Sequence, residues 1–189
     1  MGKQIRTGRG TARGEEAIRA AYEREGPEEF YRQHGADYRN PHESIVRAVL
    51  TRAVETWQPD LSAVLDLACG SGEAALALRE HGAVVEGADP FTGEAYLART
   101  GDEVLPLSFE AIAQGALAGR SYSLIVCSFA LHLEEKSRLP KLCYTLSRLA
   151  PALIVLTPHK RPTIAPAWGW VLTDEILHER VRARLYAST

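Results

Sequence analysis

The chain has 189 residues, a mass of 20.8 kDa and a formal net charge of −2 at pH 7, with 46% hydrophobic and 24% charged residues. This length suits one domain that can bury a hydrophobic core without disulfides or a structural metal. The composition excludes collagen-like, mucin-like and wholly disordered chains. The small net charge also argues against a protein whose whole surface coats nucleic acid.

Positive charge is concentrated at the start of the chain. Residues 1–14 contain no acidic side chain and four basic ones, Lys3, Arg6, Arg9 and Arg13, which leaves a net charge of −6 for residues 15–189. This segment has too few apolar residues for an amphipathic targeting helix. We therefore expect a disordered basic tail or an expression remnant.

The cysteine content indicates a reducing environment. Cys69, Cys127 and Cys143 cannot all pair, and none lies in a CxxC or Cys/His spacing, so we expect neither disulfides nor a zinc site or other metal. The longest apolar runs, such as the one at 152–157, are too short to span a bilayer. We expect a soluble cytoplasmic protein without a membrane partner, and its oligomeric state stays open.

Helical patterns fill the first third of the chain. We predict helices over 15–25 and over 27–34, the second with Pro27 at its first position and Gly35 just past its end. Together with the helix that follows, they form a predicted helical cap at 15–60, packed on a core at 61–189.

The third predicted helix has the clearest start signal. Asn40 is expected to be its N-cap, with Pro41 first in the helix and Glu43 reaching back to the cap. Its apolar side is predicted to contain Ile45, Val49, Leu50, Val54 and Trp57.

From residue 63 onward, short apolar runs alternate with helical or loop segments. The predicted strands are 63–68, 83–88, 103–109, 123–128 and 152–157, and the intervening helices or loops are 72–81, 92–99, 110–118 and 138–149. Buried strands separated by helices favour a parallel sheet covered on both faces. Residues 169–178 and 180–188 then predict two tightly joined strands. The fold class is thus α/β: a three-layer sandwich with a seven-stranded, mostly parallel sheet, a C-terminal antiparallel hairpin and N-terminal helices.

The segment DLACGSGE at 66–73 carries the strongest chemical signal. Gly70 and Gly72 allow positive φ angles and let a ligand approach the backbone, and the next helix begins there with free N–H groups. Asp66, at the strand end, can receive a cationic or hydroxyl partner. Asp89 ends the next strand, 23 residues after Asp66, where nucleotide-binding folds place a carboxylate that binds ribose hydroxyls.

Ligands of open α/β sheets lie across the carboxyl ends of the strands. Several candidate residues fall at predicted strand ends: Gly70 and Gly72, Asp89, Phe109-Glu110 and Ser128-Phe129. Together they predict a nucleoside site. Gly70-x-Gly72-x-x-Ala75 also fits the dinucleotide fingerprint. A nicotinamide-dependent oxidoreductase therefore stays an alternative, although the chain is short for a dinucleotide domain plus a substrate domain.

Several motifs in order carry a more specific resemblance. VLDLACGSGEAALAL resembles the first motif of the class I S-adenosylmethionine-dependent methyltransferases, VVEGADP their second motif and LSFEAIA their adenine-binding segment. YSLIVCSFALHL and LIVLTPHK are similar to their fourth strand with its loop and to their fifth strand. The resemblance covers about residues 38–187 and implies a Rossmann-like core with S-adenosyl-L-methionine as cofactor. It departs at Ala68, where many members have a glycine, so the backbone geometry is in question there.

The resemblance also implies roles for individual residues. Gly70 and Gly72 would pass close to the methionine part of the cofactor, Asp66 would face its ammonium directly or through water, and Asp89 would bind the ribose. The cofactor-binding candidates are Asp66, Ala68, Cys69, Gly70, Gly72, Asp89, Pro90, Phe109, Glu110, Ser128 and Phe129.

Candidates for the methyl acceptor's side lie in loops and in the N-terminal segment. His132 is a candidate catalytic base if the acceptor must lose a proton, and packing is the alternative. His159, followed by Lys160-Arg161, could contact an acidic or phosphorylated acceptor, with a solvated basic loop as the alternative. Tyr31 and Tyr38 are candidates for a lid, or they pack as core aromatics.

The methyl acceptor is predicted to be a small molecule, methylated by in-line displacement. The loop after the fourth predicted strand lacks the Asn/Asp-Pro-Pro-aromatic pattern of methyltransferases that act on base amines. Cys69 and Cys127 are expected to be buried rather than nucleophilic, and Trp57, Trp168 and Trp170 are expected to pack in the core or the hairpin. An RNA or protein acceptor, or a non-catalytic S-adenosylmethionine-binding protein, are the alternatives.

Overall fold

The computed structural model describes residue 24 and residues 26–189. The predicted tail at 1–14 and nearly all of the predicted helix at 15–25 lie outside the described residues. The helices are α1 (Pro27–His34), α2 (Glu43–Trp57), α3 (Glu73–Arg79), α4 (Gly93–Thr100), α5 (Phe109–Ala113) and α6 (Leu139–Ser147). The strands are β1 (Val64–Leu67), β2 (Val85–Ala88), β3 (Val104–Leu105), β4 (Leu124–Ser128), β5 (Ala152–Thr157), β6 (Trp170–His178) and β7 (Val181–Ser188).

The strands form one sheet in the order β3-β2-β1-β4-β5-β7-β6. Strands β1 to β5 run parallel, and β7 lies antiparallel between β5 and β6. The register places Asp66 of β1 beside Gly87 of β2 and Val126 of β4. The predicted fold class is confirmed, including the C-terminal hairpin.

Helices cover both faces of the sheet, because successive strand residues point to opposite sides. Leu124 of β4 packs in a cluster with side chains of α2 and α3, whereas the next residue, Ile125, packs in a cluster with α5 and α6. Along α2 the fully buried residues are Val46, Val49, Leu50 and Ala53, while Ile45, Val54 and Trp57 are only partly buried. Helix α2 therefore belongs to one outer layer of the sandwich.

The predicted N-cap of α2 is wrong. Asn40 Oδ1 accepts a hydrogen bond from the backbone N–H of His42 at 2.9 Å, which closes a short turn, as asparagine side chains commonly do. His42 then takes the cap position and the helix begins at Glu43. Glu43 does not complete a capping box; its side chain pairs with Arg99 of α4.

The third strand is much shorter than the predicted 103–109. Pro106 follows β3 directly and has no N–H to donate to the sheet. Ser108 Oγ then accepts a hydrogen bond from the N–H of Ala111 at 3.1 Å and caps α5. Phe109 and Glu110 therefore lie in the first turn of a helix, and the prediction that they end a strand is wrong.

The C-terminal hairpin is tied to the helical layers through tryptophans. Trp170 is fully buried, and its Nε1–H donates to the carbonyl of Cys143 in α6 at 2.8 Å. On the other face, Trp57 Nε1–H donates to Asp174 of β6 at 2.9 Å. The expected packing role of these side chains is confirmed, with Trp168 partly buried against the α5–α6 cluster that contains Ile125.

Trp170→Phe should destabilise the fold, because it removes a buried hydrogen bond and leaves a small cavity. We expect the free energy of unfolding to fall by about 1–3 kcal/mol, measured by urea denaturation. Trp168→Phe is the matched control and should change it by much less. Equal losses in the two variants would contradict the anchoring role of Trp170.

Candidate functional site

A cavity of about 540 Å³ opens at the carboxyl edge of the sheet. The sequence-predicted residues that line it are Tyr31, Tyr38, Ala68, Cys69, Gly70, Asp89, Pro90, Phe109, Glu110, Ser128 and Phe129. The lining residues that sequence reasoning missed are Gly26, Asn40, Glu73, Phe91, Leu107, Ser108, Ala130, Leu133, Glu134, Glu135 and Arg138. Residues from the ends of four parallel strands and from the N-terminal segment thus meet around one space.

Four predicted site residues do not line this cavity: Asp66, Gly72, His132 and His159. Asp66 is fully buried, and its Oδ2 accepts the N–H of Ala75 at 3.0 Å. Gly72 has φ 88°, and a Cβ at this position would lie 2.7 Å from Thr100 Cγ2 in α4. Both residues therefore shape the turn between β1 and α3 from behind the cavity wall.

The turn after β1 has left-handed backbone at alternate positions, with φ 55° at Ala68 and 54° at Gly70. Alanine in this region carries a cost of about 1–2 kcal/mol that glycine avoids, which explains why a glycine suits this position. A Cβ on Gly70 would lie 3.3 Å from Tyr38 Cε1. Because Gly70 has no side chain, its backbone lines the cavity directly.

The carboxylate of Asp89 joins this turn to the loop after β2. Its Oδ2 accepts the N–H of Gly70 at 3.2 Å, and its Oδ1 accepts those of Phe91 and Thr92 at 2.9 and 3.1 Å. Burial raises the pKa of Asp89 above its ordinary value, against the opposing effect of the N–H donors, that of Phe91 first among them. Asp89 is therefore both a cavity residue and a structural link.

A second link is ionic and was not visible in the sequence. Glu73, only 4% exposed, accepts from Arg99 Nη1 at 2.9 Å and from the N–H of Asn40 at 3.4 Å. Arg99 also pairs with Glu43 and donates to the carbonyl of Ser71 at 3.3 Å. Glu73 lies within the glycine motif, but Arg99 is 26 residues further on, and no local pattern relates the two.

The N-terminal segment covers the cavity through ring and backbone contacts. Gly35 packs so closely on Phe91 that a Cβ would lie 2.3 Å from its carbonyl oxygen. Tyr31 and Tyr38 meet edge to face, with ring centroids 5.1 Å apart. His42 stacks on Phe129 at 4.8 Å. Residues 26–42 therefore form one wall of the cavity.

The loops after β4 and β5 meet beside the cavity. The rings of His132 and His159 pack edge to face with centroids 4.7 Å apart, while Ala130 and Leu133 on either side of His132 line the cavity. Burial, followed by the charge of His159, lowers the pKa of His132 to about 4. His132 is thus neutral at pH 7, and its Nδ1 is buried without a hydrogen-bond partner among the described residues.

Cys69 and Cys127 are buried, as predicted, and so is Cys143. Burial raises the pKa of the Cys127 and Cys143 thiols to about 12 and that of Cys69 further still. Thiols that stay protonated are poor nucleophiles. Covalent catalysis by these cysteines is therefore disfavoured.

Asp66 is the most perturbed carboxyl group of the site. Burial, followed by the charge of Glu73, raises its pKa from 3.8 to about 8, against the opposing N–H of Ala75. The charges of Asp89 and Arg79 act on it in opposite directions. Its Oδ1 has no hydrogen-bond partner among the described residues, which fits a protonated group at pH 7.

This shift predicts a pH-dependent stability. Above pH 4 the unfolded chain ionises Asp66 while the fold keeps it protonated, so stability falls as pH rises toward 8, by up to about 1.4 kcal/mol per pH unit. The amide of the Asp66→Asn variant does not titrate, so the variant does not lose this stability as the pH rises. The free energy of unfolding of the variant minus that of wild type, measured by urea denaturation, should therefore increase between pH 5 and pH 7. The exposed Asp60→Asn is the control, and a difference for Asp66→Asn that does not change with pH would refute the prediction.

Comparisons with known proteins identify the fold and one relative. No protein-family profile matches the chain, and no helix in its described part is long and apolar enough to cross a membrane. Magnesium protoporphyrin IX methyltransferase (ChlM) from Synechocystis PCC 6803, solved with bound SAM, has a TM-score of 0.60 at 18% identity, covering 92% of this chain and 96% of that one. The N-methyltransferase NodS from Bradyrhizobium japonicum WM9, in complex with S-adenosylhomocysteine, has a TM-score of 0.60 at 14% identity, covering 79% and 88%.

A relative in sequence is the uncharacterized protein C17A5.05c of Schizosaccharomyces pombe. It is 33% identical to this chain, and the match covers 87% of this chain and 89% of the yeast protein. The chain therefore belongs to the family of this fission yeast protein, and it has the fold of the class I S-adenosylmethionine-dependent methyltransferases.

Proposed function

We propose that this protein is an S-adenosyl-L-methionine-dependent methyltransferase that acts on a small-molecule acceptor. The observation that supports it most is the junction of Gly70 with Asp89. Bare turn backbone and a ribose-type carboxylate lie side by side in one cavity, at the edge of the sheet where α/β folds bind nucleosides.

The lining suits the chemical parts of this cofactor. The backbone of Ala68 to Gly70 is assigned to its methionine end, and Asp89 to its ribose hydroxyls. Leu107 and Phe109, both in the lining, offer apolar surface to a flat base. Asp66 and Gly72 are assigned indirect roles from behind the turn.

When bound, S-adenosylmethionine would supply a sulfonium methyl group: the acceptor's lone pair attacks the methyl carbon in line, the C–S bond breaks, and S-adenosylhomocysteine leaves with the bonding electron pair on sulfur. The chain's contribution is then alignment and exclusion of water, and positioning alone can supply a large part of such a rate enhancement. Residues 26–42 are proposed to act as the lid, with Tyr38 against Gly70 and Tyr31 packed on Tyr38. The carboxylates of the lining favour a cationic cofactor.

A small acceptor is favoured by the shape of the site. The cavity holds about 540 Å³ beneath the proposed lid, which is within the range of small-molecule pockets. The protoporphyrin methyltransferase of the same fold is named for a small-molecule substrate. An RNA or protein acceptor is the alternative.

Calorimetric titration tests the proposal. The protein should bind S-adenosylhomocysteine saturably, and Asp89→Ala should weaken this binding at least tenfold, because two charge-assisted hydrogen bonds to ribose hydroxyls are lost. Asp89→Ala should also be less stable, since three backbone N–H groups lose their acceptor, and circular dichroism verifies that it still folds. Asp60→Ala removes an exposed carboxylate that likewise accepts a backbone N–H, and it should alter neither property.

Three outcomes would contradict the proposal in different ways. Failure to bind either S-adenosylmethionine or S-adenosylhomocysteine removes its basis, and uptake of NAD(P) instead would indicate an oxidoreductase. Binding without methyl transfer to any component of metabolite, RNA or protein extracts would indicate a non-catalytic binding protein.

His132 is proposed as the proton acceptor of the reaction. It is neutral at pH 7 and lies between two cavity residues, although its low pKa makes it a weak base. His132→Ala should keep S-adenosylhomocysteine affinity and lower turnover by about 10²-fold, the lower end for general bases. The control is His81→Ala, at the end of α3 beside Thr51. Full turnover and an unchanged pH–rate profile would leave His132 with a packing role only.

A further inference from the structure

The carboxyl edge of the sheet has two regions of opposite charge. The described lining of the cavity contains five carboxylates, Glu73, Asp89, Glu110, Glu134 and Glu135, and one cationic side chain, Arg138. Arg138 already lies 3.5 Å from Glu135 and 3.9 Å from Glu110. The cavity is therefore acidic, and the opposite charge lies beyond it, after β5.

The backbone of the loop at 158–162 is fixed by hydrogen bonds from a buried arginine of β7. Arg184 of β7, whose side chain is 8% exposed, donates to the carbonyls of Lys160 and Pro162 at 3.0 Å each. Its Nε–H donates to Glu175 at 2.6 Å. The guanidinium thus fixes the backbone of the loop and is itself neutralised.

The fixed loop presents unpaired cations. Lys160 and Arg161 are exposed, and neither has an ion-pair partner within residues 26–189. The β5–β7 register sets Thr157 opposite Arg182, which brings the β6–β7 turn with the exposed Arg180 to the same edge. This turn also contains one acid, Glu179. We call Lys160, Arg161 and Arg180 the basic rim.

Contacts connect the basic rim to the cavity wall. His159, directly before Lys160, packs on His132, and Ala130 and Leu133 of the same loop line the cavity. An acceptor in the cavity can therefore extend across the two histidines to the rim.

We propose that the methyl acceptor is a small molecule bearing a phosphate or carboxylate group, which Lys160 and Arg161 bind at the basic rim with Arg180 alongside. This assignment rests on the proposed methyltransferase function. Acidic walls match a cationic cofactor, and cations placed beyond them match an anionic group on the second substrate. Arginine and lysine are the side chains that bind phosphate and carboxylate oxygens most strongly.

The test is calorimetry with simple anions on protein saturated with S-adenosylhomocysteine, at low salt. Inorganic pyrophosphate and citrate are the phosphate and carboxylate probes, and the one that binds more tightly identifies the preferred group. The double variant Lys160→Gln/Arg161→Gln should lose about tenfold or more of this affinity, since two charge-assisted contacts are removed. Arg52→Gln/Lys141→Gln removes the same charge from exposed positions on α2 and α6, and should stay within about twofold of wild type.

The outcomes separate this inference from the function on which it rests. If S-adenosylhomocysteine binds but both double variants lose anion affinity equally, or wild type binds neither anion, the rim is no anion site and the inference fails alone. If S-adenosylhomocysteine does not bind, the methyltransferase proposal itself fails. A mixed-sequence RNA that binds far more tightly than pyrophosphate, with steep salt dependence, would overturn the small acceptor in favour of nucleic acid.

Discussion

The geometry of the cavity depends on the two ion pairs and the hydrogen bond that the Arg99 guanidinium makes. The guanidinium connects Glu73 at the start of α3, Glu43 at the start of α2 and the carbonyl of Ser71 in the glycine turn. The side chains of Arg99 and Glu73 are only 15% and 2% exposed, so this pair is held largely away from water, whereas Glu43 is 41% exposed and contributes less. Removing one member of such a buried group typically costs about 3–5 kcal/mol, because the remaining charges lose their compensation. The N-terminal wall and the glycine turn therefore keep one relative position.

Two adjacent strands end in the same strained backbone, and both ends face the cavity. Ala68 after β1 and Phe129 after β4 each have φ 55°, although neither is glycine. Sheet-type hydrogen bonds hold the chain at these points: Cys69 N–H donates to the carbonyl of Ala88 at 3.2 Å, and Phe129 N–H to that of Leu156 at 2.9 Å. Strain that neighbouring contacts enforce in this way is characteristic of ligand sites. Its effect here is to turn the chain sharply, so that backbone and the Phe129 ring form the cavity wall.

Features that depend on local sequence were predictable, and those that depend on distant pairs were not. The β5 prediction of 152–157 matches the observed strand, because prolines bound an apolar run on both sides. The shortened β3 has a local cause as well, and Pro106 was a readable signal. The choice between Asn40 and His42 as helix cap depends on one side-chain hydrogen bond, which periodicity does not determine.

The candidate site shows the same division. The glycine turn and Asp89 follow from strand ends, and both line the cavity. Asp66 was assigned to the ligand, but β1 is buried on both faces, so strand alternation could not tell which way its side chain points. Arg99, Glu134 and Arg138 come from elements far from the glycine motif, and only the packing of α4 and the β4 loop brings them to it.

The fold compensates only part of the negative charge of the carboxyl groups behind and within the cavity. Arg99 neutralises Glu73, and backbone N–H groups stabilise Asp89, yet Asp66 still has a pKa near 8 because burial and these neighbouring charges disfavour its ionised form. A cation entering the cavity would supply the missing compensation and lower the pKa of Asp66 toward its ordinary value. By linkage, the same cation binds more strongly as Asp66 ionises. The acidic wall therefore favours a positively charged ligand beyond simple attraction and disfavours an anionic one.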